Sequence, residues 1–398
     1  MPNRRALFDA LAFLAVLIGT ACAEHTAPHE ALTGSPESVG LSSPALARLD
    51  RVLEGFVERG QIPGYQLLVA RRGQVVHRSL RGQMDRERDR PMEDDAIFRI
   101  YSMSKVVTGV ATMIAYEQGS FLLNDPVSKY LPELADLQVM ERDASGEMQL
   151  VPAEREITIL DLLRHTSGIA YHFTAPPPLG EQYVAQGLTP GLRPLPIDTA
   201  LGNAASDQHA TLADMVERLG KLPLVAQPGT RWHYGINMDV LGRLIEVTTG
   251  QPFPEFLERS LFEPLGMNDT AFVVPAQKVE RFAACYVATP EGGMTLADDP
   301  RESSYLEPPA MPGGGGGLVS TADDYMRFAR MLLGGGQLEG RRVLSPKTVD
   351  LMMANHLPEE IFGSRPLRFS TGQVYANGGL GLGFGLTGSV VREPALTG

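Results

Sequence analysis

From Ser43 the apolar residues Leu46, Leu49, Val52, Leu53 and Phe56 recur at intervals of three and four, which sets one stripe of side chains on one face of a helix. Ser43-Pro44 marks its start and Gly60 lies near its end. Tyr65 to Ala70, then Arg71-Arg72-Gly73-Gln74, then Val75-Val76-His77 are two apolar runs around a polar turn, a pattern that predicts a β-hairpin. Phe98-Arg99-Ile100 predicts a short strand running into Ser102. The stretch Val106 to Tyr116 is strongly apolar and predicts a helix buried on nearly all sides, stopped by Gly119.

Between about Asp136 and Leu222 the pattern loosens. Pro176-Pro177-Pro178, Gly180, Pro190-Gly191, Pro194 and Pro196 crowd together, as in connections that form lids or binding loops. Leu241, Leu244, Ile245 and Val247 restore helical spacing from Asp239 to Thr249. After the run Gly313 to Gly317, Ser320-Thr321-Ala322-Asp323-Asp324 opens a helix through Leu333, with hydroxyl capping and acids in its first turn. Leu380 to Val391 alternates glycine with leucine or phenylalanine and predicts a strand that another backbone approaches closely. Strands toward both ends with helices between them predict one sheet assembled from both ends, plus a helical insert.

Composition narrows the function classes. The 398 residues carry a net charge of −12, which argues against a nucleic-acid or anionic-membrane surface, since phosphate contacts need clustered Lys and Arg. Two cysteines, Cys22 and Cys285, build neither a disulfide framework nor a Cys-rich zinc site, and no metal or cofactor motif occurs. Met1 to Ala23 places Arg4 and Arg5 before an apolar run from Leu11 to Ile18, too short to span a bilayer but suited to a secretory leader. Ala21-Cys22-Ala23 predicts cleavage before Glu24; lipid attachment at Cys22 and an uncleaved helix are the alternatives. Either of the first two makes this an exported protein, periplasmic or secreted, with no membrane span in the mature chain.

The chemistry concentrates at Ser102-Met103-Ser104-Lys105. Residues three apart on a helix share a face, so an amine at Lys105 can lie beside the Ser102 hydroxyl. Serine is a poor nucleophile until a base takes its proton, and lysine serves as base only where desolvation or nearby cations lower its pKa. The apolar stretch that follows supplies the dry surroundings, and the helix N-terminus offers amide N–H groups to an oxyanion. The chain has only five lysines, and Lys105 alone has a serine three places before it. The rival reading is a buried lysine that snorkels to solvent. The second signal is Trp232-His233-Tyr234-Gly235-Ile236-Asn237, where a phenol near an ammonium can pass protons and His233 is the rival base. Core packing is the plainer reading of Trp232 and Tyr234. His165, in His165-Thr166-Ser167-Gly168, reads either as half of a Ser–His pair or, more simply, as a helix C-terminal residue capped by Gly168. The glycine run is a flexible turn or a backbone passing close to substrate.

These segments resemble the serine β-lactamase-like superfamily, most of all the family VIII carboxylesterases, relatives of class C β-lactamases and D-alanyl-D-alanine carboxypeptidases. Besides the two motifs above, the resemblance rests on Leu162 to Gly168, on Phe262-Glu263-Pro264-Leu265-Gly266-Met267-Asn268-Asp269-Thr270, and on Gly314 to Asp324. It implies an α/β (α+β) fold, an antiparallel sheet flanked by helices plus a helical lobe. The domain plan is a leader over 1–23, a linker over 24–42 and a catalytic domain over 43–398. The sheet lobe of that domain spans about 43–100 and 318–398, and the helical lobe with its lid about 101–317. It further implies an acyl-enzyme mechanism with Ser102 as nucleophile, Lys105 as base and Tyr234 as proton relay, substrate contacts from Trp232, Asn237, Gly315 and Gly316, and an ester or β-lactam as the small-molecule partner. The family's late strand, with a Lys-Thr-Gly or Trp-Gly-Gly-like motif and the second oxyanion donor, has no match after Val391, so the C-terminal strands are expected to be missing. Short esters are the favoured substrates; a β-lactamase or DD-peptidase and a silent binding protein of the same fold are the alternatives.

Overall fold

The computed structural model describes residues 32–189, 210–289, 292–362 and 381–396. The leader with Cys22, the first part of the linker, Pro190 to Pro196 and Leu380 lie outside the described residues. Helix α1 (Ser43–Glu58) forms where the spacing places it. The Ser42 side chain accepts from the Ala45 N–H, and Pro44 stands in the first turn, where its missing N–H costs nothing. Its apolar stripe is only partly covered: Leu46 is buried, but Leu49, Val52 and Phe56 are 39%, 56% and 37% exposed.

Strands β1 (Gly64–Arg71) and β2 (Gln74–Asp85) make the expected hairpin. Arg72 and Gly73 close it at φ of 53° and 77°, the positive-φ turn whose twist matches antiparallel strands. Strand β3 (Arg90–Pro91) adds to β2. Strand β4 (Ile97–Arg99) leads into a 3₁₀ turn, Tyr101–Met103, and then into α2 (Ser104–Glu117). Eleven of the fourteen α2 residues are buried, in agreement with its apolar sequence. The loosened stretch after Asp136 contains a hairpin the pattern did not mark, β5 (Gln138–Arg142) with β6 (Met148–Pro152), and a short helix α3 (Ile159–Leu163).

Helix α4 (Leu212–Leu219) is capped reciprocally by Thr211 and Asp214, and α5 (Asn237–Thr249) packs along α2. Strands β7 (Cys285–Ala288) and β8 (Met294–Asp298) form another hairpin. Strand β9 (Val319–Thr321) runs antiparallel to β4, and the Ile100 N–H donates to the Leu318 carbonyl. This pairing draws the glycine run before β9 against the start of α2. Helix α6 (Ala322–Leu333) follows, with Thr321 capping the Asp324 N–H as expected.

Two expectations need correction. The single sheet built from both ends does not form among the described residues: they make one three-stranded and five two-stranded antiparallel sheets. β4 with β9 is the pairing that joins early and late chain. The strand expected over Leu380 to Val391 is instead a hairpin of two three-residue strands, Leu382–Phe384 and Ser389–Val391. It turns because the Gly385 N–H donates to the Gly388 carbonyl and Thr387 takes a φ of 78°. The close approach read from the glycines is real: a Cβ on Gly385 would run into the Met352 carbonyl oxygen. A Cβ on Gly109 of α2 would lie 2.1 Å from Thr387 Oγ1, so only glycine lets this hairpin rest on the helix. The fold is thus an α/β arrangement of antiparallel sheets and helices. Its largest core surrounds α2 and α5. No helix among the described residues is long and apolar enough to cross a membrane.

Candidate active site

Ser102 sits on the 3₁₀ turn that opens into α2, and Lys105 lies one turn further along. The Lys105 Nζ donates to Ser102 Oγ at 3.2 Å, and Tyr234 Oη donates to the same oxygen at 2.8 Å. Tyr234 arrives from the loop before α5. That loop passes hard against the chain at Ile169: a Cβ on Gly235 would lie 2.0 Å from the Ile169 carbonyl oxygen. Glycine at 235 is therefore what lets the phenol reach the serine. The Lys105 amine also donates to the Gly315 carbonyl at 2.5 Å, a contact made by the glycine run that β4–β9 pairing delivers.

Burial pulls the Lys105 amine down to about 8, opposed by the negative charge of Asp239. The amine lies 4.7 Å from the centre of the Tyr234 ring and 5.3 Å from that of Tyr171, distances at which ring faces attract a cation. Burial holds the Tyr171 phenol well above its usual range. Ser102 opens into a cavity of about 690 Å³, walled by Met103, Val106, Phe173, Tyr325 and Phe384, with Thr387 to Ser389 at one side. Among the described residues no group of three or more His, Cys, Asp or Glu is placed to hold a metal ion.

The remaining sequence candidates fall elsewhere. Asn237 is fully buried, with its Oδ1 accepting from Ser167 Oγ at 2.5 Å and its Nδ2 donating to His165 Nδ1 at 2.7 Å. Both ends of its amide are engaged, and it is not among the residues that line the cavity. Trp232 is buried against Phe384, Leu357 and Leu382. Gly315 spends its carbonyl on Lys105 and its N–H on Asp239, and Gly316 N–H bonds back to Gly313, so neither lines the cavity. The rival base His233 bonds through Nε2 to Thr174 Oγ1 at 3.2 Å, and burial pushes it down to about 4. His165 is not a plain end-of-helix residue. Helix α3 stops at Leu163, His165 itself takes the left-handed conformation at φ 58°, and its ring lies 5.1 Å from the Tyr234 ring. Burial holds it neutral, far below the usual histidine range.

Asp239, Tyr171, Phe173 and Tyr325 went unmarked in the sequence. For Asp239 a signal existed: an acid between Met238 and Val240-Leu241, on a helix whose neighbours are buried.

The family model described as Beta-lactamase matches residues 49–393. The chain belongs to the Beta-lactamase family. Esterase EstB of Burkholderia gladioli is 31% identical over 382 residues, 91% of this chain and 84% of that protein. Protein Rv1367c of Mycobacterium tuberculosis (strain ATCC 25618 / H37Rv) is 36% identical over 339 residues, 85% of this chain and 77% of that protein. Among solved structures, EstCE1, a hydrolase with promiscuous acyltransferase activity, superposes with a TM-score of 0.68 at 28% identity, covering 88% of this chain and 84% of its own. This member of the Beta-lactamase family is a serine hydrolase.

Proposed function

We propose that this protein hydrolyses short-chain carboxylic esters through an acyl-enzyme on Ser102. The observation that carries the reading is the convergence of an amine and a phenol on one serine oxygen that lines a largely apolar cavity. Neutral Lys105 takes the Ser102 proton as Oγ bonds to the ester carbonyl carbon, and the resulting oxyanion forms beside the N-terminus of α2. On collapse the bond to the alkoxy oxygen breaks, and that oxygen leaves with the Tyr234 proton, which the Lys105 ammonium restores. Water then attacks the acyl carbon, gives its proton to the same pair, and releases the carboxylic acid and free Ser102. The apolar wall of Met103, Phe173 and Phe384 suits an acyl chain without charge. The likeness to an esterase and to a hydrolase with acyltransferase activity supports the ester over the amide. The leader pattern over Met1 to Ala23 supports action outside the cytoplasm.

The test is a nitrophenyl ester panel run beside a cephalosporin, with a fluorophosphonate label located by mass spectrometry. Ester turnover with the label on Ser102 is the expected result. Label on Ser104 or Ser167, or cephalosporin turnover without ester turnover, overturns it. Ser104 Oγ is buried and accepts from the Leu318 N–H, and Ser167 Oγ is committed to Asn237, so neither hydroxyl is placed to compete.

A further inference from the structure

Asp239 is a carboxylate with no exposure to solvent, in the first turn of α5. Its Oδ1 accepts from the Gly315 N–H at 3.2 Å, and its Oδ2 has no hydrogen-bond partner. A first-turn acid normally serves its helix dipole from a solvated position. Burying one with an unsatisfied oxygen is costly and calls for a reason. The reason lies on the other side of the same glycine, whose carbonyl receives the Lys105 amine at 2.5 Å. One residue thus bridges the buried carboxylate to the buried amine. That residue has to be glycine: a Cβ at Gly315 would lie 2.7 Å from both Asp239 Oδ2 and Tyr171 Oη.

We propose that Asp239 is a positioning residue for Lys105, fixing the place of the amine through Gly315 and lending it a buried counter-charge. The inference rests on Lys105 acting as the base of Ser102. The surrounding groups leave the pair to itself. The segment after α3 presents His165 and Tyr171, and the loop before α5 presents His233 and Tyr234. Burial keeps both histidines and Tyr171 neutral around pH 7. Asp161 of α3 is held by Arg155 and Arg164. Helix α4 and the Phe253–Leu257 helix turn Leu212 and Phe253 toward α5, and Tyr325 of α6 donates to the Met103 carbonyl at the cavity. Lys105 is the charge that acts on Asp239, and Asp239 the charge that acts on Lys105.

The signs follow directly. Burial favours the neutral amine, and the Asp239 carboxylate favours the ammonium, so the carboxylate raises Lys105 against its surroundings. Burial likewise raises Asp239 itself, to about 6, with Lys105 opposing. When Asp239 takes up a proton, the amine loses its counter-charge and gives up its own proton at lower pH. The base is then available sooner but is weaker.

The experiment follows the rate at which a fluorophosphonate labels Ser102 as pH is varied from 4 to 9. In that reaction the Ser102 oxygen–phosphorus bond forms, fluoride leaves, and Lys105 takes the serine proton. The wild-type protein is expected to show a rising acid limb interrupted by a flattened step near pH 6, where Asp239 titrates. In Asp239→Asn, which keeps an acceptor for Gly315, the step is expected to vanish and the limb to move to lower pH by about 1 unit or more. A smooth wild-type limb of unit slope, or an Asp239→Asn limb that overlays the wild type, overturns the inference. Should Asp239→Asn not fold, the wild-type step decides it. Failure of the wild-type protein to label at Ser102 removes the catalytic reading and this inference with it. Labelling with an unbroken limb removes this inference alone.

Discussion

Helix α1 carries its apolar residues in one stripe and α2 is apolar nearly all round; eleven of the fourteen residues of α2 are buried, while Leu46 is the buried residue of α1. The difference lies in their neighbours. Helix α2 is enclosed by α5, by the glycine run that β4–β9 pairing brings in, and by the Leu382–Val391 hairpin at Gly109. Helix α1 lies on β1 and β2, and among the described residues β1 pairs with β2 alone. Amphipathic spacing thus says which face a helix offers, and only the surrounding elements say whether that face is taken. For function the consequence is that Lys105 stands on a helix enclosed on most sides, with Ser102 on the turn that opens it, as a preorganised site requires.

This contrast can be broken or sharpened by substitution. The largest effect is expected at the proposed nucleophile and its proposed base. Ser102→Ala should lower nitrophenyl ester turnover by about 10³-fold or more, because no other group offers covalent catalysis. Lys105→Arg should be nearly as damaging as Lys105→Ala, since arginine keeps the charge but does not deprotonate near neutral pH. Near-normal activity in the arginine variant would show that the amine is electrostatic support. In the α2 core, Met113→Ala should cost about 3 kcal/mol in a denaturant titration, the usual range for a fully buried methionine.

Gly109→Ala is a finer probe. Helix propensity alone favours alanine by about 1 kcal/mol, but the new methyl would meet Thr387. A net loss of about 1–3 kcal/mol from overpacking is expected, and a rise in Tm would mean that the hairpin does not rest on α2. The smallest effect belongs to α1. Val52→Ala should change stability by no more than about 0.5 kcal/mol, because the side chain is 56% exposed. A cost close to that of Met113→Ala would show that the α1 stripe is covered in solution, and the contrast between the two helices would disappear.

Much of the proposed catalytic pairing was legible in the chain. Ser102 and Lys105 are three residues apart, and helical geometry alone brings such side chains together. Tyr234 needed more, since 132 residues separate it from Ser102; its motif named it, but Gly235 and the backbone at Ile169 deliver it. For the residues expected to contact substrate, the motif did not encode direction. Asn237 follows Tyr234 by three residues, yet its amide is claimed by Ser167 and His165, 70 and 72 residues away. The strand expected over Leu380 to Val391 became a hairpin for a related reason. Its alternation was compatible with one strand or two, and the Gly385–Gly388 turn resting on α2 selected two.

By itself, then, the sequence determined what short-range geometry controls: the helices with their caps, the positive-φ turn at Arg72-Gly73, the serine and lysine on one helical face, and the family to which these motifs belong. Tertiary structure decided everything that depends on partners far along the chain. Lys105 meets Gly315 across 210 residues and, through it, the buried charge of Asp239, because β4 pairs with β9 and α5 packs on α2. Backbone stereochemistry is a property of neighbouring residues and can be read locally. The burial and counter-charge that set a pKa are properties of the enclosure, and they exist only once the distant segments have closed around the amine.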